Sequence, residues 1–165
     1  MPDGLADLAA FLDREAATAV VLSYADALDS RDWSAFRSLF CDELMIDYGA
    51  IGSIFGLITA DAWTDRCRLL EGFSSTAHRI HNLRVTIVGD RATVSSIVDA
   101  AHFAEVDGEQ ISGDLIGRYT HMLHRDSGWK IAGVALDVIG HPAGRAAFER
   151  AFSAARATHS EGRLR

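Results

Sequence analysis

Chemistry in this 165-residue sequence could reside in its seven histidines and in one carboxylate placed against the usual preference. Asp29 falls in the last turn of a helix expected over residues 8–30, where the negative end of the helix dipole disfavours a carboxylate. An imidazole partner would favour it there, and the carboxylate would in turn fix the ring's tautomer and raise its basicity. A solvated acid in the turn Asp29-Ser30-Arg31-Asp32 is the plainer reading. His102 shares a strand face with Val94, Ser96, Val98 and Ala100, a mostly apolar surface suited to a sheet's inner side. Tyr48 shares a face with Leu44 and Ile46, so its ring is expected inside with a hydroxyl that needs a partner. His78 and His81 are an odd number of residues apart, as are His121 and His124, so on one strand each pair faces opposite sides and neither is a chelate.

Other chemistries lack their residues. There is no His-Glu-x-x-His, no carboxylate and histidine cluster at metal spacing, no Gly-rich phosphate loop and no Gly-x-Ser-x-Gly elbow. Catalysis would therefore be acid–base work by side chains, with no metal or organic cofactor expected. Tyr119, Trp129 and Trp33 read as core or wall residues without chemistry.

Positioning such groups needs one core, and 48% hydrophobic with 24% charged residues over this length fits a single domain spanning 1–165. Its ends, about 1–7 and 158–165, are expected to fray. The 16 basic against 23 acidic residues give a net charge of −7, too acidic to neutralise a phosphate backbone, so nucleic acid is not an expected partner. No long uncharged apolar run occurs, so neither a secretory signal nor a membrane span is expected. Cys41 and Cys67 lie in apolar-periodic segments without further cysteines, which fits reduced core residues of a soluble cytoplasmic protein.

No glycine or proline occurs between Gly4 and Gly49, whereas glycines recur up to Gly144, so helices come first and strands later. Leu8, Phe11, Leu12, Ala16, Ala19, Val20, Tyr24, Ala27 and Leu28 recur at helical spacing as one buried stripe. Asp32 can cap a short helix from Trp33 that buries Trp33, Phe36, Leu39 and Phe40 before the chain turns extended at Leu44. Thr59 can cap a third helix from Ala60 to about Glu71, stopped by Gly72. Residues 79–88, 91–105, 110–125 and 129–139 read as strands, separated by Gly89-Asp90, Asp107-Gly108 and Ser127-Gly128. This is an α+β pattern: N-terminal helices covering one face of a cone-shaped, curved antiparallel sheet that can enclose a pocket. After His141-Pro142, Phe148 and Phe152 mark a terminal helix, docked weakly or on another subunit.

The run Tyr24-Ala25-Asp26-Ala27-Leu28-Asp29-Ser30-Arg31-Asp32-Trp33 resembles the first helix and turn of the scytalone dehydratase family, which has the nuclear-transport-factor-like, cystatin-like roll. The likeness continues through Ile46-Asp47-Tyr48, Thr76-Ala77-His78 and Gly128-Trp129-Lys130-Ile131-Ala132-Gly133, over most of residues 8–140. The layout is also similar to SnoaL-like polyketide cyclases, bile-acid dehydratases and hexachlorocyclohexane dehydrochlorinases, whose histidine segment resembles His78-Arg79-Ile80-His81-Asn82-Leu83-Arg84.

Carried over by motif, the dehydratase's aspartate, strand tyrosine and two sheet histidines fall on Asp29, Tyr48, His78 and His102. The dehydrochlorinase's base dyad falls on Asp29 and His78. The relatives differ over which histidine the aspartate supports, so pairing with His78 and pairing with His102 both stay open. Leu28 replaces a second tyrosine of the dehydratase, and its sheet asparagine has no clear counterpart near Arg118 and Tyr119, so scytalone is not assigned as substrate. The resemblance implies a cofactor-independent lyase that eliminates next to a carbonyl. In it, His78, oriented by Asp29, takes the proton, Tyr48 polarises the oxygen and His102 protonates the leaving group. An isomerase or cyclase using the same base, and a binding module without chemistry, are the alternatives. A pocket lined by Leu28, Ile54, Phe55, Trp63, Val98 and Phe103 would take a small hydrophobic or cyclic substrate. The same resemblance implies a homo-oligomer, a trimer or dimer.

Overall fold

The computed structural model describes residues 4–162. Helix α1 (Gly4–Ser30) and the short α2 (Trp33–Ser38) precede strand β1 (Phe40–Asp47). A 3-10 turn (Gly49–Ile51), strand β2 (Phe55–Thr59), helix α3 (Ala60–Cys67) and a second 3-10 turn (Arg68–Gly72) follow. Then come β3 (Ser75–Val88), β4 (Arg91–Val106), β5 (Glu109–Ser112), β6 (Leu115–Arg125), β7 (Trp129–Gly140) and helix α4 (Arg145–Gly162). The expected loose tails reach residues 1–3 and 163–165, which lie outside the described residues; within them, helix begins at Gly4 and continues to Gly162. No described helix is long and apolar enough to cross a membrane.

Seven strands form one curved, unclosed sheet in the order β2-β1-β7-β6-β4-β3, with β5 pairing only to β4. All pairs are antiparallel except β1 with β7, which run parallel. The α+β architecture expected from the sequence is the one observed.

Local signals explain the ends of these elements. The Asp32 carboxylate accepts from the Ala35 amide at 2.9 Å and the Thr59 hydroxyl from the Ala62 amide at 3.3 Å, each satisfying an orphan N–H. Asp107 and Gly108 take φ of 54° and 81°, the left-handed pair that matches a two-residue hairpin to strand twist.

Several boundaries differ from expectation. The buried face of α1 is Ala17, Val21, Tyr24, Ala25, Ala27 and Leu28, while Leu8, Phe11 and Leu12 are exposed. Tyr24, Ala27 and Leu28 are buried as expected; nearer the N-terminus, alanines make neighbouring helical faces equally apolar, and burial falls on Ala17 and Val21 rather than on Ala16 and Val20. Phe40 is buried from a strand rather than a helix, because β1 starts there. The third helix tightens to 3-10 geometry after Cys67. The strand expected over 110–125 breaks at Gly113-Asp114 into β5 and β6.

Helix α4 docks on its own domain, not weakly and not elsewhere. Phe148, Ala151 and Ala155 are buried, and a Cβ at Gly72 would lie 2.0 Å from the Ala155 carbonyl oxygen. Gly72 is thus required by close approach of two backbones, not as a helix stop.

Candidate active site

Between the inner sheet face and α3 and α4 lies a cavity of about 460 Å³. Its lining includes Tyr24, Leu28, Tyr48, Trp63, His78, His102, Tyr119, Phe148 and Phe152. Leu28 and Trp63 are where the sequence placed them, but Ile54, Phe55, Val98 and Phe103 are not in the wall. Phe55 is 74% exposed on the edge strand β2, Val98 is sealed in the core, Ile54 packs against that core, and Phe103 faces away from its neighbour His102 by strand alternation. The wall they were expected to supply comes from α4.

Asp29 ends α1 half-buried, and the structure pairs it with His78, not His102. Its Oδ1 lies 2.7 Å from His78 Nδ1, and its Oδ2 accepts the His78 backbone N–H at 2.7 Å. The Thr76 hydroxyl donates to Oδ1 at 2.8 Å. Burial pushes this carboxyl up, but the hydrogen bonds and charge of His78, with Thr76, outweigh it and hold the group down at about 2. With Asp29 ionised, the neutral form of His78 carries its proton on Nδ1 and its lone pair on Nε2.

The unfavourable helix-end position is compensated by Arg31. This residue adopts the left-handed conformation, φ 61°, which folds its side chain back over the end of α1. Its Nη1 donates to the carbonyls of Leu28 and Asp29, at 2.8 and 3.0 Å, and to the Thr76 hydroxyl at 2.8 Å. A cation on the orphan carbonyls answers the dipole that would otherwise oppose Asp29.

His102 faces inward as strand parity requires, with its ring 5.2 Å from that of His78. Its Nδ1 donates to the Gly113 carbonyl at 2.8 Å, and the Gly113 amide returns a bond to the His102 carbonyl at 2.8 Å. The break between β5 and β6 is what turns that carbonyl toward the ring. Burial among Phe73, Phe148 and Phe152, and next the charge of His78, push His102 down to about 3. It is neutral near pH 7 and offers only a lone pair on Nε2. The expected role as proton donor therefore does not fit: the one N–H is committed to Gly113.

Tyr48 is buried, and its hydroxyl meets two others: Tyr24 Oη at 2.9 Å and Tyr119 Oη at 3.3 Å. Tyr48 donates to Tyr119, and a phenol has a single proton, so the Tyr24 proton makes the first contact. The Tyr119 proton is left over at the end of this chain, in the cavity wall. Burial raises all three phenols, Tyr119 to about 12, so they act as neutral donors. Sequence reasoning treated Tyr119 as wall and passed over Tyr24. The available signal was inward parity: Tyr119 shares its face with buried Leu115, His121 and Leu123.

Cys67 also lines the cavity, where burial pushes its thiol up, so it is not a thiolate nucleophile. Cys41 and Cys67 are free and only partly buried. Among the described residues, no three His, Cys, Asp or Glu side chains gather as a metal-ligand set.

The chain is similar to known proteins. The SnoaL-like domain profile matches residues 9–135. No curated protein matches the chain. Among solved structures, the Kfla4162 protein of Kribbella flavida is similar at 26% identity and TM-score 0.76, over 89% of this chain and 99% of that one. A candidate scytalone dehydratase from Novosphingobium aromaticivorans superposes with TM-score 0.69 at 24% identity, over 79% of this chain and 87% of its own. A hexachlorocyclohexane dehydrochlorinase, LinA-type3, from Novosphingobium barchaimii gives TM-score 0.67 at 18% identity, over 82% and 92%. The last two likenesses are of fold. With the profile spanning both α1 and the sheet up to β7, the chain belongs to the SnoaL-like domain family.

Proposed function

We propose that this chain is a cofactor-independent acid–base enzyme, a dehydratase-type lyase acting next to a carbonyl on a small hydrophobic or cyclic substrate. One observation carries the reading: an ionised Asp29 binds Nδ1 of His78, so that the neutral ring has its lone pair on Nε2, and the wall of the apolar cavity that His78 lines also contains the Tyr119 hydroxyl. Nε2 of His78 removes the proton, and the Tyr24-Tyr48-Tyr119 chain stabilises the oxygen on which charge develops. Because neutral His102 has no second proton to give, the proton taken by His78 is the one returned to the departing hydroxyl. His102 Nε2 accepts a hydrogen bond from that hydroxyl and keeps it oriented. The fold likeness to a candidate dehydratase and a dehydrochlorinase supports elimination.

A second reading draws on the same neutral His102. If a single ring both takes and returns the proton, the cavity equally suits a shift of that proton within the substrate, as in an isomerase or cyclase. Incubation with a panel of cyclic β-hydroxy ketones, with product masses recorded, separates the two. Loss of one water identifies elimination, and unchanged mass with a new product identifies the shift. His78→Ala is expected to lower turnover by about 10²–10⁴-fold. An undiminished rate in that variant would reject His78 as the base, whereas no turnover of any compound by the wild type would leave a ligand-binding module.

A further inference from the structure

The mouth of the cavity carries charge that the dyad chemistry does not use. Arg66 from α3 and Arg156 from α4 both line the cavity, and both are exposed, which places them where it opens to solvent. Arg66 directs Nε and Nη2 to the Ser53 hydroxyl, at 3.2 and 3.1 Å. Neither guanidinium has an ion-pair partner among the described residues. The carboxylate beside them, Glu149, is already bound by Arg145 at 2.7 Å. Two unneutralised cations therefore flank an opening in a chain whose net charge is −7. Deeper in, the wall is apolar and aromatic, and behind His78, which lines it, stands the negative charge of Asp29.

This gradient orients a ligand. A carboxylate deep in the cavity would be desolvated and repelled by Asp29, whereas at the mouth it would meet two guanidinium forks while staying partly hydrated. We propose that the substrate is a carboxylic acid whose apolar body fills the cavity and whose carboxylate is taken by Arg66 and Arg156 at the mouth. The assignment rests on the cavity being the active site, and it adds the charge class of the molecule that enters.

Binding can be read without turnover, from the fluorescence of Trp63 in the cavity wall. The probes are phenylbutanoate, phenylhexanoate and phenyloctanoate, each with its primary amide, together with phenylhexyl phosphate. At the best chain length the acid is expected to bind about fivefold more tightly than its amide at low salt, the scale of two exposed ion pairs. That preference should vanish in the Arg66→Gln/Arg156→Gln double variant and shrink in high salt. Equal affinity of acid and amide at every length, absence of binding by every acid, or a preference that survives in the double variant would overturn the proposal. A phosphate ester bound a further fivefold above the acid would assign the arginines to a phosphate-bearing carrier and overturn it too. His78→Gln separates this inference from the enzymatic one. If that variant loses turnover while the wild type shows no acid preference, the carboxylate assignment alone falls. If the preference holds and His78→Gln turns over normally, the dyad alone falls.

Discussion

One carboxylate holds one histidine twice: Asp29 takes the His78 ring through Oδ1 and the His78 main chain through Oδ2, each at 2.7 Å. The ring is thereby tied to the same strand residue that carries it, which removes the rotational freedom an isolated dyad would keep.

Replacing Asp29 by Asn removes the charge and one of the two acceptor oxygens, so the Nδ1–H tautomer of His78 is no longer enforced, while the side chain keeps its size. Turnover in Asp29→Asn is expected to fall by about 10²–10⁴-fold, with the fold retained. Nitrogen NMR of the His78 ring should show the proton shared between Nδ1 and Nε2 where the wild type holds it on Nδ1. Wild-type ring shifts together with wild-type rate would remove Asp29 from the mechanism.

The three phenols give a graded prediction. Tyr119→Phe deletes the terminal donor and should lower kcat by about 10²–10³-fold, the scale of one lost oxyanion donor. Tyr24→Phe deletes the far end, leaves the Tyr48 proton on Tyr119 and should cost only a few-fold through lost polarisation. A reversed ranking in steady-state kinetics would mean that the chain runs the other way, with Tyr24 as its open end.

Stability should fall on mild acidification. Burial depresses both His102 and His121 from 6.5 to about 3, with the charge of His78 adding to the effect at His102. Between those values the unfolded chain binds protons that the folded chain refuses, so stability is complete above about pH 6.5 and is lost as pH falls toward 3. Each histidine contributes a slope of up to about 1.4 kcal/mol per pH unit. Asp29, held at about 2 against 3.8, adds stability above about pH 4 that is lost as pH falls through 2. Among the described residues, His121 has no hydrogen-bond partner on either ring nitrogen, so His121→Leu tests one histidine alone. Urea titrations from pH 7 to pH 4 should show the pH slope of that variant lower than wild type by about one proton's worth. An unchanged slope would place a proton on His121 in the folded state.

Gly72→Ala drives a Cβ to 2.0 Å from the Ala155 carbonyl, where backbone must move. The expected loss is about 1–3 kcal/mol in chemical denaturation, together with displacement of α4 from the cavity. Gly128→Ala, with open space around its Cα and no left-handed φ, serves as the comparison and should change stability by less than about 0.5 kcal/mol. Equal stability of the two variants would mean that α4 is not seated against Gly72.

What the sequence disclosed, and what it concealed, divides along physical lines. Caps, turns and the inward parity of His102 are short-range properties, so Asp32, Thr59, Asp107-Gly108 and β4 were legible. Parity also separated buried His121 from His124, and His78 from exposed His81. It could not foresee the register shift in β3 between His81 and Arg84, where Asn82 takes φ 54°. That irregularity switches the inward set from Thr76, His78 and Ile80 to Leu83, Val85 and Ile87. The phenol chain joins residues 24, 48 and 119 from a helix and two strands, and no local pattern marks three hydroxyls that meet only after folding. The choice of His78 over His102 depended likewise on a carbonyl, that of Gly113, which claims the second ring.

The division of the cavity between its walls has an evolutionary consequence. Asp29, Tyr48, His78, His102 and Tyr119 all lie within residues 9–135, the stretch that defines the family. Phe148, Phe152 and Arg156, which help close the cavity and supply one of the two charges at its mouth, belong to α4, beyond that stretch, whereas Arg66 lies within it. The Asp29–His78 pair and the helix that closes the cavity over it are thus written in separate parts of the gene. Exchange of the closing helix among homologues would redirect an inherited base toward new molecules without rebuilding it.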